Sequence, residues 1–404
     1  MRILYHSVLP SITRAMLELG VPVDEGENLL GKATVSDHGD LAIACHSLSR
    51  TLKKSPAEIA DELSSILIPL LEGITNISSV NGFVNLKATD SWLEEKCIGI
   101  CNDIRLGIPY SSNPRTVAID YSSPNVAKEM HVGHLRSTVI GDSLTRILEF
   151  LGNTVIRENH IGDWGTPFGM LIEHLLDMGE GSNENELSVG DLDGFYKTAR
   201  NKFDSDESFA DRSRARVVLL QGGDEETIRL WQVLVDESTR YFNEVYQLLG
   251  VLLIDDDIMG ESAYHHLLPD VVSRLNEQGL LKNSDGADVV FPGGHLNRDG
   301  EPLPLIVRKG DGGYNYATTD LACIIDRVER LKVDDLLYVV GTPQSRHFQM
   351  VFSVAYQAGL LNESNTTVHV NFGSVLGNDG KVLKSRSGSA VKLVDLLKES
   401  VSRA

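Results

Sequence analysis

VAIDYSSPNVAKEMHVGHLR, residues 117–136, decides how the rest of the chain is read. Val117 and Ile119 alternate with Ala118 and Asp120, which predicts a short strand with two different faces. Ser122-Ser123-Pro124-Asn125 favours a turn and cannot prolong that strand. Beyond the turn Leu135, Val139, Ile140, Leu144, Ile147, Leu148 and Leu151 recur at helical spacing until Gly152-Asn153 ends the run. His131 and His134 therefore stand three apart at the mouth of a helix that directly follows a strand, with Gly133 between them. Unpaired backbone N–H groups and the positive end of the helix dipole attract anions there, and imidazole N–H groups can reach phosphate oxygens. A glycine lets a flat base or a phosphate approach the backbone closely. The same histidines could instead be satisfied polar residues of a capped core helix, but the strand before them and the turn chemistry favour a phosphate site.

Working outward, 404 residues with 42% hydrophobic and 23% charged composition allow two or three domains with real cores. Cys45, Cys97, Cys101 and Cys323 are too few and too scattered for a disulfide scaffold, and Cys97-x-x-x-Cys101 lacks the second ligand pair of a zinc site. No apolar run approaches a membrane span and no basic leader opens the chain, so a cytoplasmic protein with no membrane partner is expected. A net charge of -20 argues against a broad nucleic-acid-coating surface, while leaving room for a local basic patch.

Residues 1–110 read as a small α+β module, with helical stripes near 8–19, 42–52 and 56–71 and strands over 74–86 around Asn81-Gly82. PYSSNP, residues 109–114, reads as a linker. After residue 115 a second strand at 153–158 precedes a loop carrying Asn159, His160, Gly162, Asp163 and Gly165. The region from about 178 to 280 is charged and mainly helical, including a long amphipathic helix at 225–249, and is taken as an insertion. Strand patterns return at 288–291 and 305–308; residues 314–320 then run into a helix at 321–331. A buried strand at 336–340 ends in Gly341-Thr342-Pro343-Gln344-Ser345-Arg346-His347, before a helix at 348–360 and a strand at 367–372. Such alternation predicts an α/β fold with a parallel sheet covered on both faces. Lys381, Lys384 and Arg386 lie in GNDGKVLKSRSGS among Gly377, Gly380 and Gly388, as a mobile cationic clamp over a triphosphate requires; a solvated basic loop is the plainer alternative.

HVGH resembles the HIGH signature of class I aminoacyl-tRNA synthetases, and its flanks resemble arginyl-tRNA synthetases of the bacterial type. The resemblance runs across essentially the whole chain and includes VSDHGDLAIACHSLSRTLKKSPAEIADEL and ISSVNGFVNLKA near the N-terminus. It implies a Rossmann-like catalytic domain at 111–404, split by the helical insertion, behind a tRNA-contacting N-terminal domain at 1–110. Residues 377–389 are similar to the KMSKS loop, with Ser387 where the second lysine would fall and Lys128 in the position of a lysine that replaces it.

The roles implied are catalytic for His131, His134, Lys128, Lys384 and Arg386. ATP contacts fall on His131, Gly133, His134, Lys128, Gln344, His347 and Lys384. Arginine contacts fall on Asp120, Ser123, Asn125, Tyr316, Asp320 and Gln344, with Asp120 and Asp320 converging from opposite halves to pair with a planar guanidinium. The implied substrates are L-arginine, ATP with Mg²⁺ and tRNA(Arg), acted on by a monomer with no tightly bound cofactor and no metal site of its own. Family members continue into a helical anticodon-binding domain, whereas this sequence stops after KLVDLLKESVSRA, so impaired charging is expected. Two alternatives are a truncated paralogue that binds arginine or ATP without charging tRNA, and one that passes arginine to another acceptor.

Overall fold

In LAIAC the buried residues are Leu41, Ile43 and Cys45, every second position, and that period makes a strand where the apolar spacing assigns a helix over 42–52. The computed structural model describes residues 2–21, 29–35, 37–179, 192–297, 299–310, 312–374 and 393–403, and the chain divides into units Met1–Pro109 and Tyr110–Ala404. The first unit contains α1 (Arg2–Glu18), β1 (Leu30–Lys32), β2 (Leu41–Ala44), α2 (Ser49–Leu52), α3 (Pro56–Leu70), β3 (Thr75–Val80), β4 (Phe83–Ala88) and α4 (Asp90–Asn102). Its antiparallel sheet has the order β1-β2-β4-β3. Asn81 and Gly82 both take positive φ, 51° and 79°, as the tight β3–β4 hairpin requires. Ser55 and Glu58 close a capping box ahead of α3, whose Leu63 and Leu67 pack with Val8, Ile12, Val84 and Leu86 in one core.

The second unit opens with β5 (Thr116–Asp120), α5 (Val132–Phe150), β6 (Thr154–Glu158) and α6 (Thr166–Met178). Helices α7 (Leu192–Ser205), α8 (Glu207–Gly222), α9 (Glu225–Leu249) and α10 (Leu268–Glu277) follow. Next come β7 (Lys282–Ser284), β8 (Ala287–Val290), β9 (Leu305–Arg308), α11 (Tyr316–Ile325), β10 (Asp335–Gly341), α12 (Ser345–Gln357), β11 (Thr366–Phe372) and α13 (Leu393–Arg403). Strands β11-β10-β5-β6 form a wholly parallel sheet. The patterns at 288–291 and 305–308 do not join it: β7-β8-β9 make a separate antiparallel sheet.

From the centre of the parallel sheet, β5 leads outward to β6 on one side and β10 to β11 on the other. The chain therefore reverses its winding direction between β5 and β10, and a crevice opens at their carboxyl ends. Successive residues send their side chains to opposite faces: Ala118, Leu336 and Tyr338 join one core, Ile119 and Val339 the other.

Helix α5 lies where the turn chemistry predicts, but its apolar stripe is only partly buried, Leu135, Ile140 and Leu144 packing against the core. Val139 and Ile147 are exposed, while Ser137, Thr138, Gly141, Asp142 and Thr145 are buried. Small and hydroxylated residues let the helix approach the sheet and bond its backbone, Ser137 Oγ donating to the Val339 carbonyl at 2.6 Å. A Cβ on Gly141 would stand 2.3 Å from Tyr121 Cβ, an atom fixed close to the backbone. Gly141→Ala is therefore expected to cost about 2–3 kcal/mol, read as a lowered denaturation midpoint at unchanged m-value.

Candidate active site

The loop after β5 is built from conformations that side chains rarely adopt. Ser122, Ser123 and Ala127 have φ of 74°, 47° and 57°, each in the left-handed region. Hydrogen bonds from several elements hold them there. Ser122 N–H donates to Ser137 Oγ (3.0 Å), Ser123 N–H to Asn159 Oδ1 (3.0 Å) and Ala127 N–H to Ser238 Oγ (2.9 Å). Tyr246 of α9 shares a 2.7 Å bond with Ser122 Oγ and accepts from Asn159 Nδ2 at 3.0 Å. Asn125, which is exposed, bridges to Gly162, where a Cβ would collide with the Asn125 amide oxygen at 2.5 Å.

His131 is the N-cap of α5. Its Nδ1 accepts from the Gly133 N–H at 3.0 Å, and the His131 N–H donates to His134 Nδ1, also at 3.0 Å. Each Nδ1 thus carries a lone pair, so each neutral ring bears its proton on Nε2 and has a donor left to offer. The rings lie 4.0 Å apart between centroids at 31°. Gly133 is required by this packing, since a Cβ there would come within 2.7 Å of the His131 ring.

Burial lowers the pKa of His131, and burial together with the neighbouring His131 and Lys128 pushes His134 down to about 3. Lys128 itself packs its ammonium 4.4 Å from the centroid of the Tyr196 ring. Both histidines are therefore neutral donors at pH 7. Because the folded pKa of His134 lies below its ordinary value of 6.5, the unfolded chain binds that proton more tightly. The associated stability is fully present above about pH 6.5 and is lost as pH falls toward 3. Melting temperatures of the chain and of His134→Gln between about pH 4 and 7.5 should converge as pH falls, the substituted chain losing less.

In the second half of the fold, Tyr316 and Asp320 lie on the first turns of α11, which Asn315 caps by accepting from the Tyr316 N–H. The helix thus begins five residues earlier than the pattern at 321–331 indicates. Asp320 Oδ2 is 2.5 Å from His347 Nε2, and the exposed Tyr316 ring stands 4.8 Å from that imidazole. Gln344 is exposed at the start of α12. Asp120, 5% exposed, accepts from Ser123 Oγ at 2.9 Å and from Arg327 Nη2 at 2.8 Å. Burial works to lower the pKa of His160, but Cys323, Asp120 and Asp320 outweigh it and raise that pKa. Lys384 and Arg386 lie outside the described residues, as do Lys381 and Ser387.

Several groups here carry no motif. Arg327 forms buried ion pairs with both Glu158 and Asp120, and Asp163 accepts from both the N–H (2.9 Å) and Oγ (2.6 Å) of Ser262. Burial raises the Asp163 pKa and pushes Glu261 up to about 7. The period-2 pattern of β6 could have pointed to Glu158, an acid at the end of a strand beside β5. Nothing local points to Arg327.

A crevice at the winding reversal of a parallel sheet, with two neutral histidines at a helix mouth on one side, is the arrangement of a nucleotide-binding α/β fold. Residues 100–404 match the family described as tRNA synthetases class I (R), catalytic domain, and residues 7–88 match the arginyl tRNA synthetase N terminal domain. An arginine–tRNA ligase of Thermobifida fusca is 53% identical over 89% of this chain and 62% of its own length. One from Thermosynechococcus vestitus is 45% identical over 98% of this chain and 68% of its own. The crystal structure of arginyl-tRNA synthetase from Plasmodium falciparum superposes with a TM-score of 0.70 at 29% identity, covering 93% of this chain and 63% of that one. The chain belongs to the arginyl-tRNA synthetase family, and it spans 62–68% of the length of these two ligases. Among the described residues no helix is long and apolar enough to cross a membrane.

Proposed function

We propose that the crevice activates L-arginine with ATP and passes it to the terminal adenosine of tRNA(Arg) in the cytoplasm. The observation that carries this reading is the pair of Nε2–H donors at the mouth of α5, each fixed by a backbone N–H on the opposite ring nitrogen. ATP phosphates fit that chemistry: two neutral donors and a helix N-terminus suit an anion whose charge redistributes as a P–O bond breaks. Magnesium enters with the ATP phosphates as part of the substrate.

In this reading the arginine carboxylate attacks the α-phosphorus and pyrophosphate leaves, so an acyl–phosphate bond forms as a phosphoanhydride breaks. The 2′-hydroxyl of tRNA then takes the arginyl group and releases AMP. His131 and His134 stabilise the phosphoryl oxygens, while Gly133, Gln344 and His347 complete the nucleotide contacts. Lys128, Lys384 and Arg386 neutralise the outer phosphates. Asp320 and Asp120 recognise the guanidinium, and Tyr316, Ser123, Asn125 and Gln344 surround the rest of the amino acid. Asp120 keeps capacity for this although both of its oxygens are engaged, because an ionised carboxylate offers about four acceptor sites.

Formation of labelled arginyl-tRNA from [¹⁴C]arginine, ATP, Mg²⁺ and tRNA(Arg) tests the reading. Acid-precipitable label is expected with arginine and not with lysine; charging with lysine, or adenylate formed from another amino acid in preference to arginine, would overturn it.

A further inference from the structure

Tyr338, Asp120 and Glu158 are in register across β10, β5 and β6, so in a parallel sheet they form one row on one face. Arg327, 1% exposed, lies across that row. Its Nη2 donates to Asp120 Oδ2 at 2.8 Å and its Nε to Glu158 Oε2 at 2.5 Å, and its guanidinium carbon stands 4.9 Å from the centroid of the Tyr338 ring. The π-helical turn Asp326–Arg330 that supplies Arg327 continues directly from α11, the helix whose first turns carry Tyr316 and Asp320. One side chain therefore ties the arginine-facing helix to the carboxyl ends of both strands of the first half.

One guanidinium stands against two carboxylates, and among the described residues the other side-chain hydrogen-bond donors to this pair, Ser123 Oγ on Asp120 and Tyr264 OH at 3.4 Å from Glu158, are neutral hydroxyls. Arg327 alone thus leaves the row one formal negative charge in excess, while His160 near Asp120 and Arg330 near Glu158 act on it without a hydrogen bond. An ion pair that only braced the core would need no such excess, and a single carboxylate would satisfy Arg327 at lower desolvation cost.

We propose that Arg327 is a positioning residue for arginine recognition: it holds the Asp120 carboxylate at the crevice floor and leaves the Asp120–Glu158 pair one negative charge, which the substrate guanidinium completes. The proposal rests on the arginine reading of the crevice. It requires that two substitutions remote from the substrate and opposite in charge logic both weaken arginine binding. Arg327→Lys keeps the cation but cannot bridge two carboxylates in a plane. Glu158→Gln keeps the shape and an acceptor for Arg327 but removes the excess charge.

The test is calorimetric titration of the 404-residue chain and of each variant with L-arginine and, separately, with ATP, alongside melting temperatures. Both variants are expected to weaken arginine binding by about tenfold or more while ATP affinity stays within about threefold. A folded Glu158→Gln that binds arginine as the parent does overturns the proposal. So does parallel loss of arginine affinity, ATP affinity and melting temperature, which is the signature of a brace alone. If Arg327→Lys does not fold, Glu158→Gln decides. A parent chain that binds ATP but no arginine refutes the arginine reading itself, and the role of Arg327 falls with it; parental arginine binding that Glu158→Gln leaves unchanged refutes only this proposal.

Discussion

Replacing His131 and His134 together by alanine is expected to lower arginyl-adenylate formation by about two orders of magnitude or more. Removing a single fixed donor to a developing oxyanion costs about 10²-fold or more in other enzymes, so this figure is a lower bound for two. The same change removes the cap interactions of α5, in which His131 accepts from Gly133 and His134 from His131, so stability should fall by about 1–2 kcal/mol. That loss is too small to unfold a domain of ordinary stability, and it can be separated from the catalytic loss. His131→Asn keeps a good N-cap but withdraws the Nε2–H donor. It should therefore remain near parental stability and still be slow. Single-turnover adenylate formation with tRNA present measures the rate, and His131→Asn activity equal to that of the parent would assign the histidine to capping alone.

Asp320→Asn should lower kcat/KM for arginine by about 10²- to 10³-fold while leaving the KM for ATP within about threefold. The carboxylate is 19% exposed at its side chain and already holds His347 Nε2 at 2.5 Å. An amide keeps that volume but loses the charge and one of the two acceptors a guanidinium needs in a plane. Discrimination should change with it. A half-buried carboxylate loses its cationic substrate partner when citrulline enters, whereas the asparagine variant has no such charge to strand. The ratio of arginine to citrulline affinity should therefore collapse. An unaltered ratio would remove Asp320 from guanidinium recognition and leave it as the partner of His347.

The strand, turn and helix around residues 117–136 were legible because the hydrophobic period changes from two to about three and a half across residues that favour turns. The hairpin at Asn81-Gly82 was legible for a similar reason, since few residues accept two successive positive φ values. Other features depended on tertiary context. The buried face of α5 is made of Ser137, Thr138 and Gly141, which carry no hydrophobic signal, because close approach and hydroxyl bonding decide the packing there. The period of two in LAIAC is shorter than the helical stripe around it, so the helical spacing dominates the pattern there. The strand patterns of β8 and β9 show that strands form but not which sheet they enter. Arg327 is 207 positions from Asp120 in the chain, so no local spacing relates the two. Resemblance and local chemistry together point to the candidate site residues; the tautomers of His131 and His134, the engagement of Asp120 by Arg327 and the pairing of Asp320 with His347 are visible only in the geometry.

The central claim is that this crevice couples arginine recognition to attack on the α-phosphorus of ATP. Pyrophosphate exchange into ATP measures that coupling most directly, run with the 404-residue chain, Mg²⁺ and tRNA(Arg), with arginine, lysine or citrulline as the amino acid. The account predicts exchange that depends on arginine, is absent with lysine and citrulline, and disappears in the His131→Ala, His134→Ala double variant. Exchange that is as fast with lysine as with arginine, or that survives the loss of both histidines, would contradict it.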